Sequence, residues 1–421
     1  MEKNNKFEFL APFKKPLILA GVAFAVFLVI GKIIPAIQES QANKSPIVSI
    51  NAENETVYSV GTQFSEEDFT VTAKHKNGDT SNISSEEIKL STNTPGKVGK
   101  YTTVIVSLKE NTKISASVKV KNERKKLESF YCGSPNIKDV QAILYSNGEL
   151  AFEGKGDILQ FDQGDFPWQQ AENEVYAISF EEDIKPVNMD YWFEGLETLT
   201  YISPLPDSVE SVVGMCKDCI ELKKGVDWSQ CKNLLDITSV YEDCTSMKKI
   251  YPIPSTVRTA ASAFLNCTEL QTAPDMTKAD SLTNASQMYQ DCKKLTETNT
   301  APHLQILDEM YSGCINLKEQ PEIAAGAISL ESTFQDCQKL VTTKRIPETV
   351  KNVSMCYSGC GKLQGELIID ANPEEYSSFL DGVANATTLN LKGNSKILDL
   401  LANTNEGNNI RVNGREPATD E

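Results

Sequence analysis

Four thiols at Cys216-x2-Cys219-x11-Cys231-x12-Cys244 are the residues best spaced for chemistry, since four thiolates at such intervals would hold zinc tetrahedrally. Carboxylates come next. Asp162, Asp165, Glu181, Glu182 and Asp183 supply pairs of the kind that share general acid and general base work. With 58 Asp and Glu in the chain, however, such pairs follow from abundance alone. The two histidines, His75 and His303, have no Ser or Cys beside them in a nucleophile motif, and His303 follows Pro302 in a turn between repeats. Phosphate loops, dinucleotide fingerprints and calcium loops are missing. The chain reads as no enzyme, with no metal and no cofactor; a surface hydrolase is the remotest alternative.

The zinc reading gives way once the cysteines are placed in their pattern. Cys219, Cys244, Cys267, Cys292, Cys314, Cys337 and Cys360 follow one another at steps of 25, 23, 25, 22, 23 and 23 residues. Six of the seven carry Tyr or Phe three residues earlier, and all seven carry Leu or Met three later. Chance would give this roughly one time in a million, so it is an internal repeat. Leu196 leads the column in a copy without cysteine, Trp192-Phe193-x2-Leu196-x2-Leu199, and a worn copy at Phe379-Leu380-x2-Val383 trails it. Cys216 falls in the aromatic slot of its copy, pointing inward, and only Cys231 stays unassigned.

In each copy the apolar residues stand at −7, −4, −3 and 0 from the column residue, as in Leu307, Met310, Tyr311 and Cys314. That spacing predicts about two turns of helix. The Leu at +3 then opens an extended piece that a proline usually stops: Pro252, Pro274, Pro302, Pro321 or Pro347. A unit this small buries its apolar face only against its neighbours, so the units stack into an α/β leucine-rich solenoid, roughly 40 Å long at strand spacing. Stacked column cysteines have Cα atoms near 4.8 Å apart but parallel Cβ vectors, which predicts free buried thiols, not disulfides.

The formal charge is −17, of which residues 1–45 contribute +3 and the rest −20. An acidic body excludes nucleic acid as the main partner. Residues 16–37 are apolar except for Gly31 and Lys32, behind the positive flank Lys3, Lys6, Lys14 and Lys15. They read as a single transmembrane helix with a cytoplasmic N-terminus, or as a signal peptide cleaved near Ser40-Gln41-Ala42. Either way the remainder is expected outside the cell: bound to the cell membrane, or secreted after cleavage.

Residues 46–121 read as short strands divided by Asn77-Gly78-Asp79 and Pro95-Gly96, which suits a small β-sandwich. Val71-x-Ala73, Asn77-Gly78 and Pro95-Gly96-x2-Gly99-x-Tyr101 resemble bacterial Ig-like domains, and the resemblance implies a stalk without catalytic residues. A basic linker occupies 122–128. Residues 129–190 then form the N-terminal cap of the solenoid, with a β-hairpin turning at Asn147-Gly148. Repeats fill 191–386, a C-terminal cap 387–413 and a tail 414–421; residues 1–15 are a cytoplasmic tail.

Cys132-Gly133, the run Asn147-Gly148-Glu-Leu-x-Phe-x-Gly154-x-Gly156, Pro167-Trp168 and the aromatic-x2-Cys-x2-Leu copies together resemble BspA-type leucine-rich-repeat surface proteins of bacteria. The resemblance covers 130 to about 390 and implies an extracellular solenoid that acts as an adhesin; Gly225, Thr298, Gln320 and Thr343 depart from it, standing where that family usually has Ile or Leu, which puts a neat strand in every coil in doubt. The expected function is therefore binding of an extracellular protein or glycan through the solenoid. The alternative is a structural envelope or wall-associated protein without a host ligand. Expected partner contacts are the residues just past the +3 Leu: Lys223, Lys248, Gln271, Thr296, Lys318 and Gln364.

Overall fold

The computed structural model describes residues 45–54, 64–92, 101–121, 126–169, 175–383, 388–404 and 409–418. They divide into two compact units. The first holds two three-stranded antiparallel sheets. One runs β1 (Ile47–Glu53), β2 (Thr70–His75) and β3 (Thr80–Ile83); the other runs β4 (Ile88–Leu90), β5 (Tyr101–Leu108) and β6 (Ser115–Lys121). Alternation sets the core, because successive strand side chains point to opposite faces. Val71 and Ala73 of β2 are buried, as are Val104, Val106 and Leu108 of β5.

The second unit begins with β7 (Lys126–Tyr131), β8 (Gly133–Ser134), β9 (Val140–Tyr145), β10 (Glu149–Gly154) and β11 (Asp157–Ile158). β9 and β10 form an antiparallel hairpin with Leu144 opposite Leu150, turning through Gly148 at φ 71°. β10 then pairs in parallel with β12 (Ala177–Phe180), and β12 with β13 (Tyr201–Ile202). The sheet thus passes from the antiparallel pairing of a hairpin to the parallel pairing of stacked coils. Phe152, Trp168, Trp192 and Phe193 fill the junction, with the Phe152 and Trp168 rings edge-on at 5.0 Å and the Trp168 Nε1–H donating to the Trp192 carbonyl at 2.7 Å.

Nine coils follow, joined by a ladder of single-residue parallel bridges through Asn188, Ser211, Asp236, Thr259, Asn284, Ile306, Ser329, Asn352 and Glu375. The inward set is the one that the spacing predicts: Val212, Met215, Cys216 and Cys219 are all fully buried. The backbone between them is not α-helical, and the α/β class expected from the sequence is overturned. Two positions in every coil, −5 and −1, take the left-handed conformation with φ of 50° to 76°, for example Gln287 and Asp291. A right-handed helix cannot continue through such residues.

Hydrogen bonds show what the ribbon does instead. In the coil of Cys292, the amides of Ala285, Gln287, Tyr289 and Asp291 donate to carbonyls of the next coil at 2.8 to 3.0 Å. The amides between them, of Met288, Gln290 and Cys292, close tight turns onto their own coil at 3.0 to 3.1 Å. An α-helix would keep all these bonds within itself. Here every second one ties the coil to its neighbour, at about 1 kcal/mol net each. The spacing −7, −4, −3, 0 fits this ribbon as well as it fits a helix.

The described residues are therefore nearly all sheet, bridge and turn, with one α-helix, α1 (Leu398–Ala402). No helix among them is long and apolar enough to cross a membrane, and the segment 16–37 expected to do so lies outside the described residues. The array closes with β14 (Gly365–Ile368), β15 (Leu389–Lys392) and β16 (Ile410–Val412), all in parallel.

Candidate functional site

Inside the solenoid two columns run the length of the repeat. Rings stack at 5.5 to 5.9 Å from Tyr241 through Phe264, Tyr289, Tyr311 and Phe334 to Tyr357, with interplanar angles of 4° to 16°. Beside them each column thiol donates to the carbonyl at −3 of the preceding coil. Cys219 reaches Phe193 at 3.2 Å, Cys267 Tyr241 at 3.2 Å, Cys292 Phe264 at 3.1 Å, Cys314 Tyr289 at 3.1 Å, Cys337 Tyr311 at 3.1 Å and Cys360 Phe334 at 3.0 Å. Leu196 fills the same place in the first coil and is fully buried.

All eleven cysteines are free and buried. Burial pushes the Cys231 thiol up to about 12 and that of Cys132 up to about 11. Thiols in this state are neither nucleophiles nor ligands, since both roles need the thiolate. Three of the four cysteines spaced like a zinc site are spent on backbone: Cys219 and Cys244 donate to column carbonyls, and Cys231 donates to Pro206 at 3.3 Å. Among the described residues no group of three His, Cys, Asp or Glu is placed to hold a metal ion.

The remaining chemical candidates are scattered. His75 lies in the first unit, between the Ser45 carbonyl at 2.6 Å and the Ser81 hydroxyl at 2.8 Å. His303 is exposed in the second. Glu181 accepts the Gly154 amide at 2.9 Å, and Asp183 stands 4.0 Å from Lys155.

The six expected contact residues are all exposed on the outer side of their coils. The structure joins them through backbone in short runs. The Lys248 amide donates to the Lys223 carbonyl and the Thr296 amide to that of Gln271, both at 2.9 Å. Lys318 is linked to Gln364 through Val341. One residue further on, Lys224 bridges Lys249, Thr272 bridges Glu297 and Glu319 bridges Thr342. These single bridges replace a strand in each coil.

The polar departures have partners. Gly225 leaves room for Tyr241, whose hydroxyl a Cβ there would meet at 3.2 Å and which accepts the Val226 amide at 2.8 Å. Buried Gln320 accepts the Tyr357 hydroxyl at 2.7 Å. Reasoning from the repeat alone misses Lys224, Lys249 and a cavity of about 330 Å³ walled by Trp228, Tyr251, Pro252 and Pro254. The doublets Lys223-Lys224 and Lys248-Lys249, 25 residues apart, are the signal for the lysines, of which Lys224 lines a smaller hollow on the other side of Tyr251.

Residues 52–120 match the family of the bacterial Ig-like domain (group 3). No curated protein matches the chain. Among solved structures it is similar to a leucine-rich repeat protein from Eubacterium ventriosum, at 15% identity and a TM-score of 0.26 over 61% of this chain and 95% of that one. It is similar also to one from Bacteroides ovatus, at 14% identity and a TM-score of 0.26 over 68% and 98%. A third is the leucine-rich repeat protein of T. pallidum, at 17% identity and a TM-score of 0.31 over 57% and 91%. The resemblance read from the sequence for residues 46–121 is borne out: the chain carries a bacterial Ig-like domain.

Proposed function

We propose that the solenoid is the recognition part of a cell-surface protein and binds an extracellular protein or glycan through its outer row. One observation carries this reading. Lys223, Lys248, Gln271, Thr296, Lys318 and Gln364 are exposed at one position of six coils, on a backbone that hydrogen bonds join coil to coil in short runs. A row fixed in this way presents different side chains at constant spacing, so little ordering entropy remains to be lost on binding. The column thiols and rings of the interior are engaged with one another's coils, the thiols on backbone carbonyls and the rings in a stack.

The test is retention. Purified protein on a support is challenged with soluble matrix proteins, with glycans and with extract of its own cell envelope, and compared with a variant carrying Ala at Gln271, Thr296, Lys318 and Gln364. Retention of a matrix protein or glycan that the variant loses while melting at the same temperature supports the reading. Retention of envelope material alone assigns the row to assembly of the cell surface instead.

A further inference from the structure

We infer that the rungs around Lys224 and Lys249 bind an acidic polysaccharide, with its anionic groups on the lysines and a sugar ring in the hollow beside Tyr251. The inference rests on the outer side of the coils being a binding surface and names its ligand class. Lys223-Lys224 and Lys248-Lys249 lie on neighbouring coils, with Lys224 bridged to Lys249 and the Lys248 amide on the Lys223 carbonyl at 2.9 Å. Rungs of a parallel ladder are about 4.8 Å apart, and like charges placed across one repel each other.

Among the described residues that repulsion is offset only at Lys224, whose ammonium stands over the Tyr251 ring and is attracted by Asp227. Glu242 is held by Lys217 at 2.8 Å and Glu269 by Lys294 at 2.6 Å, while Asp227 accepts the Ser229 amide at 2.9 Å. Glu221, two residues before Lys223, is the exposed carboxylate nearest in sequence. Among the described residues none of the four lysines forms an ion pair. In a chain of net charge −17, four ammonium groups without an ion pair on two adjacent rungs form a site for anions.

The surroundings choose the kind of anion. Tyr251 stands between two hollows, with Lys224 Nζ 4.8 Å above its ring. The smaller hollow, about 120 Å³, is walled by Tyr201 and Pro204 and holds Lys224 together with Asp227. The larger, about 330 Å³, has Trp228 and Pro254 in its wall, the hydroxyls of Ser229, Ser255 and Thr256, and Lys232 and Lys278. Its one carboxylate, Asp275, is occupied by the Thr277 amide at 2.9 Å and the Thr277 hydroxyl at 2.7 Å. Apolar walls with a few hydroxyls suit a pyranose, whose C–H face packs on rings while its rim makes hydrogen bonds. An acidic protein segment would use the lysines and leave these hollows unfilled.

The test titrates the full-length protein, by calorimetry at two salt concentrations, with hyaluronan and heparin oligosaccharides, neutral dextran and polyglutamate. At least one acidic oligosaccharide is expected to bind, with affinity falling as salt rises, and dextran is expected not to bind. Lys248→Gln with Lys249→Gln weakens that binding by about tenfold, whereas Lys293→Gln with Lys362→Gln leaves it unchanged. Tyr251→Ala weakens oligosaccharide binding and Tyr251→Phe preserves it, in proteins whose melting is checked in parallel. The inference is overturned if neither acidic oligosaccharide binds, or if the control pair loses as much as the site pair. It is overturned in favour of an acidic protein segment if polyglutamate binds as tightly and Tyr251→Ala has no effect. Failure here with continued retention of a protein partner by the outer row removes this inference and leaves the broader reading standing.

Discussion

The thiol of Cys244 donates to the carbonyl of Cys216, 3.0 Å away and one coil back. The same bond recurs in the coils that follow, so the column cysteine is both a small apolar filler and a weak donor to a buried carbonyl that already accepts an amide. Alanine in its place removes the sulfur volume and that donor together. Cys292→Ala and Cys314→Ala are each expected to cost about 1–2 kcal/mol, read from urea unfolding at neutral pH.

Alkaline pH should unfold the protein. Burial raises the Cys231 thiol from 9.0 to about 12 and that of Cys132 from 9.0 to about 11, and it raises the column thiols too. A thiol raised in the folded state keeps its proton there while the unfolded chain loses it. Stability is therefore undiminished below about pH 9 and falls as pH climbs from 9 toward 12. The slope reaches about 1.4 kcal/mol per pH unit for each thiol titrating in that window. Melting followed by circular dichroism between pH 8 and 11 checks this. A midpoint independent of pH over that range would mean that the thiols are accessible.

Gly313 and Asp291 are predicted to be coupled. Gly313 has φ 72°, and a Cβ built on it would lie 2.6 Å from the Asp291 Oδ1 of the preceding coil. Gly313→Ala should cost about 1–3 kcal/mol, the left-handed conformation supplying part and the close approach the rest. Adding Asp291→Gly should restore part of the loss. Gly326→Ala, with open space and no positive φ, should be close to neutral.

Restoring an apolar residue at Gln320 should harm the protein. Gln320→Leu leaves the buried Tyr357 hydroxyl without its acceptor, at about 1–3 kcal/mol. Tyr357→Phe in the same chain should recover most of that, and the double-mutant cycle measures the coupling.

The buried column was legible in the sequence because cysteine, ring and leucine recur at fixed offsets, and those residues are the ones found inside. The backbone was not, because an apolar spacing of −7, −4, −3, 0 is shared by a helix and by a ribbon of tight turns. A second signal separates them. Position −1 is Gly, Asp or Asn in all nine coils, from Gly195 through Asn266 to Gly382. These are the residues that tolerate the left-handed conformation, and a helix face would not select them. The outer side was half legible. Taking only the residue just past the +3 position singled out Lys223 and Lys248, whereas a single bridge leaves the adjacent Lys224 and Lys249 exposed as well. Trp228 stands at +9, in a buried apolar column with Leu205, Ile253 and Met276 that went unread, and Tyr251 belongs to no repeat position, so the cavity they wall was missed.

The ring stack ends where Phe379 turns edge-on to Tyr357, at 73°. Between Tyr241 and Tyr357 every coil meets the same neighbours above and below, so duplication of one 23-residue unit within that span would lengthen the protein without rebuilding either end. Beyond Phe379 a further unit would find no parallel ring to rest on. Growth and shrinkage over evolutionary time are thereby confined to the middle of the array, and relatives of different lengths should share their first and last coils.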